Sequence, residues 1–295
     1  MRKNVFTTVL LCLGLALSVL QAQAQGIVIN KTDGTKVYYK ASEVQSVGVY
    51  GYGEEPEPEL GTTEGNTFTA NGVSFTMVPV AGGTFQMGST DSDAYDSEKP
   101  VHQVTLSSFS IGQTEVTQEL WEAVMGSNPS CFKGAKLPVE KVSWNDCQTF
   151  ITKLNALTGK QFRLPTEAEW EFAARGGNSS KGSKYAGSDN IDNVAWYDTN
   201  SSSTTHDVAT KQPNELGIYD MSGNVWEWCQ DWYASYSSSA ANDPTGPSSG
   251  ARREFRGGGW FSTARGCRVS NRGGLAPSST GNDLGLRLAL PSYTR

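Results

Sequence analysis

The chain has 295 residues, in which 24 lysine and arginine residues face 30 aspartate and glutamate residues. This length accommodates one large domain with appendages or two small domains. The net charge of −6 argues against binding to nucleic acid, and it provides no attraction to an anionic membrane surface.

The first 24 residues have the pattern of a secretory signal peptide. Basic residues at Arg2 and Lys3 precede an apolar run over 9–20, and an Ala-Gln-Ala motif ends at Ala24. The run is too short to cross a membrane, and leucine before Cys12 disfavours lipid attachment at that cysteine. We expect cleavage near Ala24 and an exported protein, in the periplasm, on the cell surface or secreted. Without the signal, 22 basic residues face 30 acidic ones, a net charge of −8.

Two short segments are predicted between the signal and the main domain. In residues 25–50, stretches at 26–30 and 36–40 predict two strands around an Asp-Gly turn. So short a β appendage cannot bury its own core. It resembles a module found on exported proteins of gut Bacteroidetes. Residues 51–65 are rich in glycine, glutamate and proline, which predicts an extended acidic linker.

Residues 66–291 are expected to form one irregular α+β domain with few regular elements. Short strands are predicted at 75–80, 84–87 and 101–107, followed by a short helix over 117–125. Beyond residue 176 the sequence is dominated by glycines, tryptophans and loop-forming residues, so we expect mostly loops there.

Two further helices have clear start signals. Ser143 with Asp146 is similar to a capping box, and Thr166 with Glu169 forms another. We expect the first helix to end at Gly159 and the second at Gly176-Gly177. The first helix has one apolar face, formed by Cys147, Phe150, Ile151, Leu154 and Leu157.

A series of separate motifs runs through most of this domain. They are Glu98-Lys-Pro-Val-His102, Glu115-Val-Thr117, Leu137-Pro-Val-Glu140, Val142-Ser-Trp144, Arg163-Leu-Pro-Thr-Glu-Ala-Glu-Trp170, Asn214-Glu-Leu-Gly-Ile-Tyr-Asp220, Gly223-Asn-Val-Trp-Glu-Trp228 and Gly285-Leu-Arg287. In kind and order they resemble the formylglycine-generating (sulfatase-modifying factor) family. The resemblance implies a C-type-lectin-like fold.

The resemblance does not extend to the catalytic cysteines. Catalytic members bind Cu(I) through two cysteines five residues apart, and the first of these falls near Ser262 here, while the second has no counterpart. A serine hydroxyl is a poor ligand for soft Cu(I). We therefore expect no copper and no catalytic residue. The alternatives are a formylglycine-generating oxidase acting on sulfatase cysteines, with Cys267 as its thiol, and a structural component of the cell envelope.

Four cysteines remain after cleavage of the signal, and their even number is compatible with two disulfides. They are Cys131, Cys147, Cys229 and Cys267. The family resemblance implies that Cys267 is structural and pairs with Cys147. Cys229 is the competing partner, and a state with free thiols is a third possibility.

The resemblance also implies a structural calcium site in the motif that contains Gly223. Its donors would be the carboxylates of Asp220 and Glu227 with the carbonyls of Gly223 and Val225, and such hard oxygen donors suit Ca²⁺. In the competing interpretation, the two tryptophans of the motif are core anchors and Glu227 is a capping or ion-pair residue.

The C-terminal segment, 256–290, has a second resemblance. Its framework residues are Trp260, Ala264, Arg265, Cys267, Arg268, Val269, Asn271, Arg272, Pro277, Gly285 and Arg287. They are similar to those of the variable proteins targeted by diversity-generating retroelements, which randomise adenine-containing codons. Runs of asparagine are usual between these framework residues.

Twelve residues stand where variation is expected, and we call them the display positions. They are Phe261, Ser262, Thr263, Gly266, Gly273, Gly274, Leu275, Ser279, Thr280, Gly281, Asn282 and Asp283. Thr280 stands where arginine is usual and fits less well. A fixed backbone with interchangeable side chains is suited to binding a protein or surface ligand, because little entropy is lost on binding. The alternative is an ordinary loop rich in serine and glycine.

Overall fold

The computed structural model describes residues 66–291 and the backbone of four strands before them. These strands are β1 (Thr8–Leu13), β2 (Ala16–Gln23), β3 (Gly26–Asn30) and β4 (Lys36–Lys40). The chain divides into two compact units, Met1–Glu59 and Leu60–Arg295. Nowhere in the described parts is there a helix of the length and apolarity needed to cross a membrane.

The first unit contains an antiparallel sheet in the order β1-β2-β3-β4. β3 and β4 are the two strands predicted around the Asp-Gly turn, and they pair with Ile27 opposite Tyr39. β1 and β2 fall within the predicted signal peptide, whose cleavage remains a prediction. The rest of the predicted appendage, residues 41–50, and the linker 51–65 lie outside the described residues.

The second unit contains three sheets, with strand orders β15-β9-β6-β5, β11-β8-β7 and β13-β12-β10-β14. The strands are β5 (Thr67–Ala70), β6 (Val73–Val80), β7 (Gly83–Met87), β8 (His102–Leu106), β9 (Phe109–Gly112), β10 (Trp226–Trp232), β11 (Ala241–Asn242), β12 (Arg253–Arg256), β13 (Arg272–Leu275), β14 (Leu284–Leu286) and β15 (Ala289–Pro291).

The helices begin where their capping residues predict. Helices α1 (Gln118–Met125), α2 (Trp144–Thr158) and α3 (Glu167–Ala174) are capped by Thr117, Ser143 and Thr166, and the last two have complete capping boxes. A single-turn helix, α4 (Ile191–Val194), follows. Gly126 and Gly159 end α1 and α2 in the left-handed conformation. Leu157 was predicted on the buried face of α2, but it lies in the last turn and is 48% exposed.

The sheet β13-β12-β10-β14 corrects the expectation of mostly loops after residue 176. β10 pairs antiparallel with β12 and parallel with β14, with Trp226 opposite Leu284. Three of its four strands have only three or four residues, and glycines interrupt β13 and β14. Such short strands lack the alternation that identifies a strand in a sequence. This sheet contains the start of the C-terminal segment, in β12, and two of its later strands, β13 and β14.

The core of the second unit consists of three clusters of buried side chains. The largest joins α1, α2 and β14, and the second joins α3 to β7, β8 and β9. A small third cluster around Tyr185, Ile191 and Tyr197 contains Cys267. The C-terminal segment contributes residues to all three clusters, and this fixes its backbone at several points.

Candidate functional site

The C-terminal segment alternates between buried and exposed stretches. Residues 256–260, 267–272 and 284–290 are buried, whereas every display position is exposed or half-buried. Phe261 is the extreme case, with 71% of its surface exposed. Side chains at these positions can therefore change while most core contacts are kept.

Buried arginines hold the segment to the rest of the domain. The guanidinium of Arg268, for example, donates to both carboxylate oxygens of Glu98, at 2.6 and 2.7 Å. Removing one partner of such a pair costs about 3–5 kcal/mol, because the other charge stays buried without compensation. The pairs are Arg256 with Glu171, Arg268 with Glu98, Arg272 with Glu167 and Glu254, and Arg287 with Glu227.

Trp260 fixes the start of the loop that carries the first display positions. As predicted, it is buried. Its backbone N–H donates to the carbonyl of Asn224 at 2.7 Å, and its indole N–H donates to the carbonyl of Asn282 at 2.9 Å. Its ring meets Phe132 edge-on at 5.5 Å and Phe261 at 5.5 Å. Trp260 thus brings two distant display positions, 261 and 282, to one place.

A cavity of about 450 Å³ opens among the display positions. Four of them line it, together with two framework residues and four residues from outside the segment. Trp226 and Phe255 meet edge-to-face in its wall, with ring centroids 4.9 Å apart. The lining residues are Tyr95, Ser97, Trp226, Phe255, Ser262, Thr263, Gly266, Asn271, Arg272 and Gly273. A second cavity, of about 470 Å³, lies beside α1 and contains no display position.

Of the other display positions, some lie next to this cavity and others do not. The carbonyl of Asp283 accepts a hydrogen bond from the Trp226 N–H at 2.7 Å, which places it next to the cavity wall. The backbone of 279–281 makes its contacts elsewhere: the carbonyl of Gly281 accepts from Lys141 at 2.8 Å. The structure therefore assembles a surface around residues 261–266, 273 and 282–283. It does not connect Ser279 and Thr280 to the cavity.

Two display positions are less free than we expected. A Cβ atom added to Gly273 would lie 2.5 Å from the Phe255 ring, and one added to Gly274 would lie 2.6 Å from the Tyr233 ring. Any side chain at either position must displace an aromatic ring. Variation at Gly273 therefore changes the wall of the cavity as well as the surface.

The cysteine pairing that we expected is not formed. The four cysteines after the predicted signal are all free thiols. Cys147, Cys229 and Cys267 lie in three different core clusters. Burial raises the pKa of each of these three thiols well above its ordinary value, which keeps them protonated.

Two residues of the expected calcium site, Asp220 and Glu227, already accept hydrogen bonds from other groups of the protein. Both carboxylate oxygens of Glu227 accept from Arg287, at 2.7 to 3.1 Å, and one also accepts from the Trp170 indole at 2.6 Å. Asp220 accepts from the Ala209 N–H at 2.7 Å. This arrangement agrees with the competing interpretation, in which Glu227 is an ion-pair residue.

The carboxyl groups here nevertheless outnumber the cations. Glu115 is buried with Asp220 and Glu227, against the single guanidinium of Arg287. Burial raises the pKa of Asp220 to about 6, and burial with the charges of Asp220 and Glu227 raises that of Glu115 well above its ordinary value. Within residues 66–291, no three histidine, cysteine, aspartate or glutamate side chains form a metal-binding cluster. A calcium ion here would depend on the backbone carbonyls of Gly223 and Val225.

Sequence reasoning did not find Tyr95, Phe255 or Trp226 as parts of the site. Trp226 was interpreted only as a core anchor, but it is half-buried and lines the cavity, whereas Trp228 is fully buried. Tyr95 lies far from the C-terminal segment in the chain, and no local pattern connects the two.

The short helices, the small sheets and the irregular C-terminal segment together define a C-type-lectin-like domain, which confirms the predicted fold class. The structure superposes on the Treponema denticola variable protein 1 with a TM-score of 0.71 and 38% sequence identity, over 77% of this chain and 98% of that one.

The chain belongs to the family of sulfatase-modifying factor enzyme 1-like domains, whose model matches residues 66–291. It is 36% identical over 280 residues to the chaperone protein LppX of Paenibacillus barcinonensis, covering 77% of this chain and 92% of that protein. It is 32% identical over 285 residues to the formylglycine-generating enzyme of Streptomyces coelicolor, covering 72% of this chain and 88% of that enzyme. Both resemblances predicted from the sequence, to this family and to variable proteins, are confirmed.

Proposed function

We propose that this chain is an exported binding protein that displays a variable C-terminal surface on a catalytically silent scaffold. One observation carries the proposal: all display positions are exposed or half-buried, while the stretches 256–260, 267–272 and 284–290, which hold most of the framework residues, are buried. The display positions were chosen from the sequence alone. A ligand-binding surface built on a fixed backbone requires this separation.

The exposed hydrophobic side chains favour a protein as the ligand. Of the four large hydrophobic residues that are exposed in the described part of the second unit, Phe261 and Leu275 are display positions and Tyr95 lines the cavity. Exposed apolar groups of this kind, next to aromatic and arginine side chains, are typical of protein interfaces. A relative named as a chaperone and a structural neighbour named as a variable protein are compatible with this interpretation.

The chemistry of the cysteines supports catalytic silence. Cu(I) in the catalytic relatives requires two thiolates, and the corresponding segment here offers one cysteine, Cys267, which is buried and protonated. Ser262 at the first cysteine position has a hydroxyl instead. Export rests on the signal-peptide pattern of residues 1–24 and would place the protein in the periplasm, on the cell surface or outside the cell.

The proposal is tested by sequencing the codons for 256–290 across a population of the source organism. We expect substitutions confined to the display positions and to adenine sites of a nearby repeat. An unvarying segment would remove the proposal of a diversified surface.

A second assay tests the competing oxidase function. Purified protein is incubated with copper and a peptide containing Cys-x-Pro-x-Arg, and aldehyde is measured by mass spectrometry. We expect none. Aldehyde formation that is lost in Cys267→Ser would establish the oxidase instead.

We also propose that Ca²⁺ binds at Asp220 and the carbonyls of Gly223 and Val225. Three buried carboxyl groups, those of Glu115, Asp220 and Glu227, face the single guanidinium of Arg287, and a divalent cation would favour their ionised forms. The ion would stabilise the loop that precedes β10, and so the position of Trp226 in the cavity wall.

A further inference from the structure

We infer that the cavity beside the display positions receives one large apolar side chain of a protein partner, next to a carboxylate of that partner, and that Gly273 keeps the cavity open. This inference rests on the proposed binding function and specifies its ligand. Of the aromatic residues that form the cavity wall, Tyr95, Trp226 and Phe255, none is a display position. The wall is therefore a fixed feature, and the display positions around it supply selectivity.

The size and lining of the cavity suit an apolar side chain. Its volume of about 450 Å³ falls within the range of about 300–1,000 Å³ that is usual for ligand pockets. Trp226 is fixed by its backbone hydrogen bond to Asp283 and by its edge-to-face contact with Phe255 at 4.9 Å. A rigid aromatic wall binds an apolar group at little entropic cost, as do the anchor pockets of protein interfaces.

Gly273 controls this wall. Phe255 and Gly273 are directly opposed in the antiparallel pairing of β12 and β13, and the Phe255 ring lies over the glycine where a Cβ would stand. With this pairing kept, a side chain at position 273 would either push the ring away or enter the cavity itself. Position 273 therefore determines whether the cavity can accept a large side chain.

The charge near the cavity favours an acidic neighbour for that side chain. The guanidinium of Arg265 lies 3.6 Å from the centroid of the Tyr95 ring. Arg268 and Arg272 are paired with buried glutamates, but among the ion pairs of the described residues none includes Arg265. Arg265 is exposed and held by a hydrogen bond to the carbonyl of Asp93 at 2.7 Å. It can therefore pair with a partner's carboxylate at little cost in ordering.

The test is a selection of random short peptides, displayed on phage, against the full chain. We expect enriched peptides to combine an aromatic or large aliphatic residue with an adjacent Asp or Glu. Binding of a labelled enriched peptide, followed by fluorescence anisotropy, should weaken about tenfold or more in Gly273→Ala, as when one interface anchor is lost. Binding should weaken a few-fold in Arg265→Gln, as for the loss of one exposed ion pair. In this variant, replacing the peptide's carboxylate by an amide should weaken binding no further, because both changes remove the same ion pair.

A second variant separates loss of the cavity from loss of the fold. In Gly273→Ala with Phe255→Leu, the smaller side chain leaves room for the new methyl group, so we expect binding to recover in part. Leu157→Ala, at an exposed hydrophobic residue on α2, should leave binding unchanged.

Two results would overturn the inference, and they differ in what they imply for the proposed function. Enriched peptides that bind Gly273→Ala as tightly as the native chain but lose binding in Phe261→Ser would refute the cavity and retain the display surface. Peptides that are insensitive to both changes bind elsewhere, and they would count against the cavity and the proposed surface together.

Discussion

The C-terminal segment contains two kinds of residue that follow different physical rules. Arg256, Arg268 and Arg272 are buried and paired with carboxylates from distant parts of the domain. Phe261 and Thr263, only a few residues away, face solvent. The difference shows how one stretch of chain can be both rigid and open to substitution: the side chains that fix its backbone are not those that form its surface.

The largest effect is expected when the framework is broken. Arg268→Ala leaves the carboxylate of Glu98 buried without a partner, so the free energy of unfolding should fall by about 3–5 kcal/mol. Arg265→Ala, three residues away but exposed, should change it by less than about 1 kcal/mol. Urea unfolding of the two variants measures both values. Equal losses of unfolding free energy in the two variants would show that burial does not distinguish Arg268 from Arg265.

The next effect concerns how stability depends on pH through the buried carboxyl group of Asp231. Burial, with the charge of Glu167, raises the pKa of Asp231 to about 7. The folded state therefore holds the proton more tightly than the unfolded state, so the stability contributed by Asp231 is present below pH 4 and lost as pH rises through 7. Asp231→Asn should raise the unfolding free energy at pH 8 by up to about 4 kcal/mol.

The test compares the unfolding free energies of the native chain and of Asp231→Asn at several pH values. The gain should shrink as pH falls through 4, below which the Asp231 carboxyl is protonated in both the folded and the unfolded state. A gain at pH 8 that persists undiminished at pH 4 would mean that packing, not charge, is the cause.

The effect of calcium on stability is expected to be smaller. An ion present at about 100 times its dissociation constant stabilises the folded state by about 2.7 kcal/mol. We expect Ca²⁺ to raise the melting temperature relative to EDTA in the native chain, and not in Asp220→Asn. Asp207→Asn should keep the response. A native melting temperature that is identical in Ca²⁺ and EDTA would contradict the proposed site.

The smallest effects on stability are expected at the display positions themselves. Phe261→Ser and Leu275→Ser should each change the unfolding free energy by about 0.5 kcal/mol or less, because both side chains are exposed. Leu286→Ala, within the same segment but buried, should cost about 2–5 kcal/mol. Thermal unfolding of the three variants checks the contrast. A cost at Phe261 close to that at Leu286 would show that the loop contributes to the core.

The sequence predicted local features more accurately than features that depend on contacts between distant residues. Helix starts at Ser143 and Thr166 were predicted because a capping box is complete within four residues. The sheet around β10 was missed because its partners are separated by many residues and are very short. The disulfide between Cys147 and Cys267 is not formed in the structure: the family resemblance implied this pairing, and the two side chains lie in different core clusters.

The sequence alone determined the domain family and the order of the helices, since motifs and capping signals are local patterns, and it predicted a division of 256–290 into framework and display positions. The tertiary structure decided where those positions meet. Tyr95, Trp226 and Phe255 form one cavity wall with Gly273 only after three distant segments pack together. Contacts of this kind depend on the packing of the whole domain, and no local pattern in the chain encodes them.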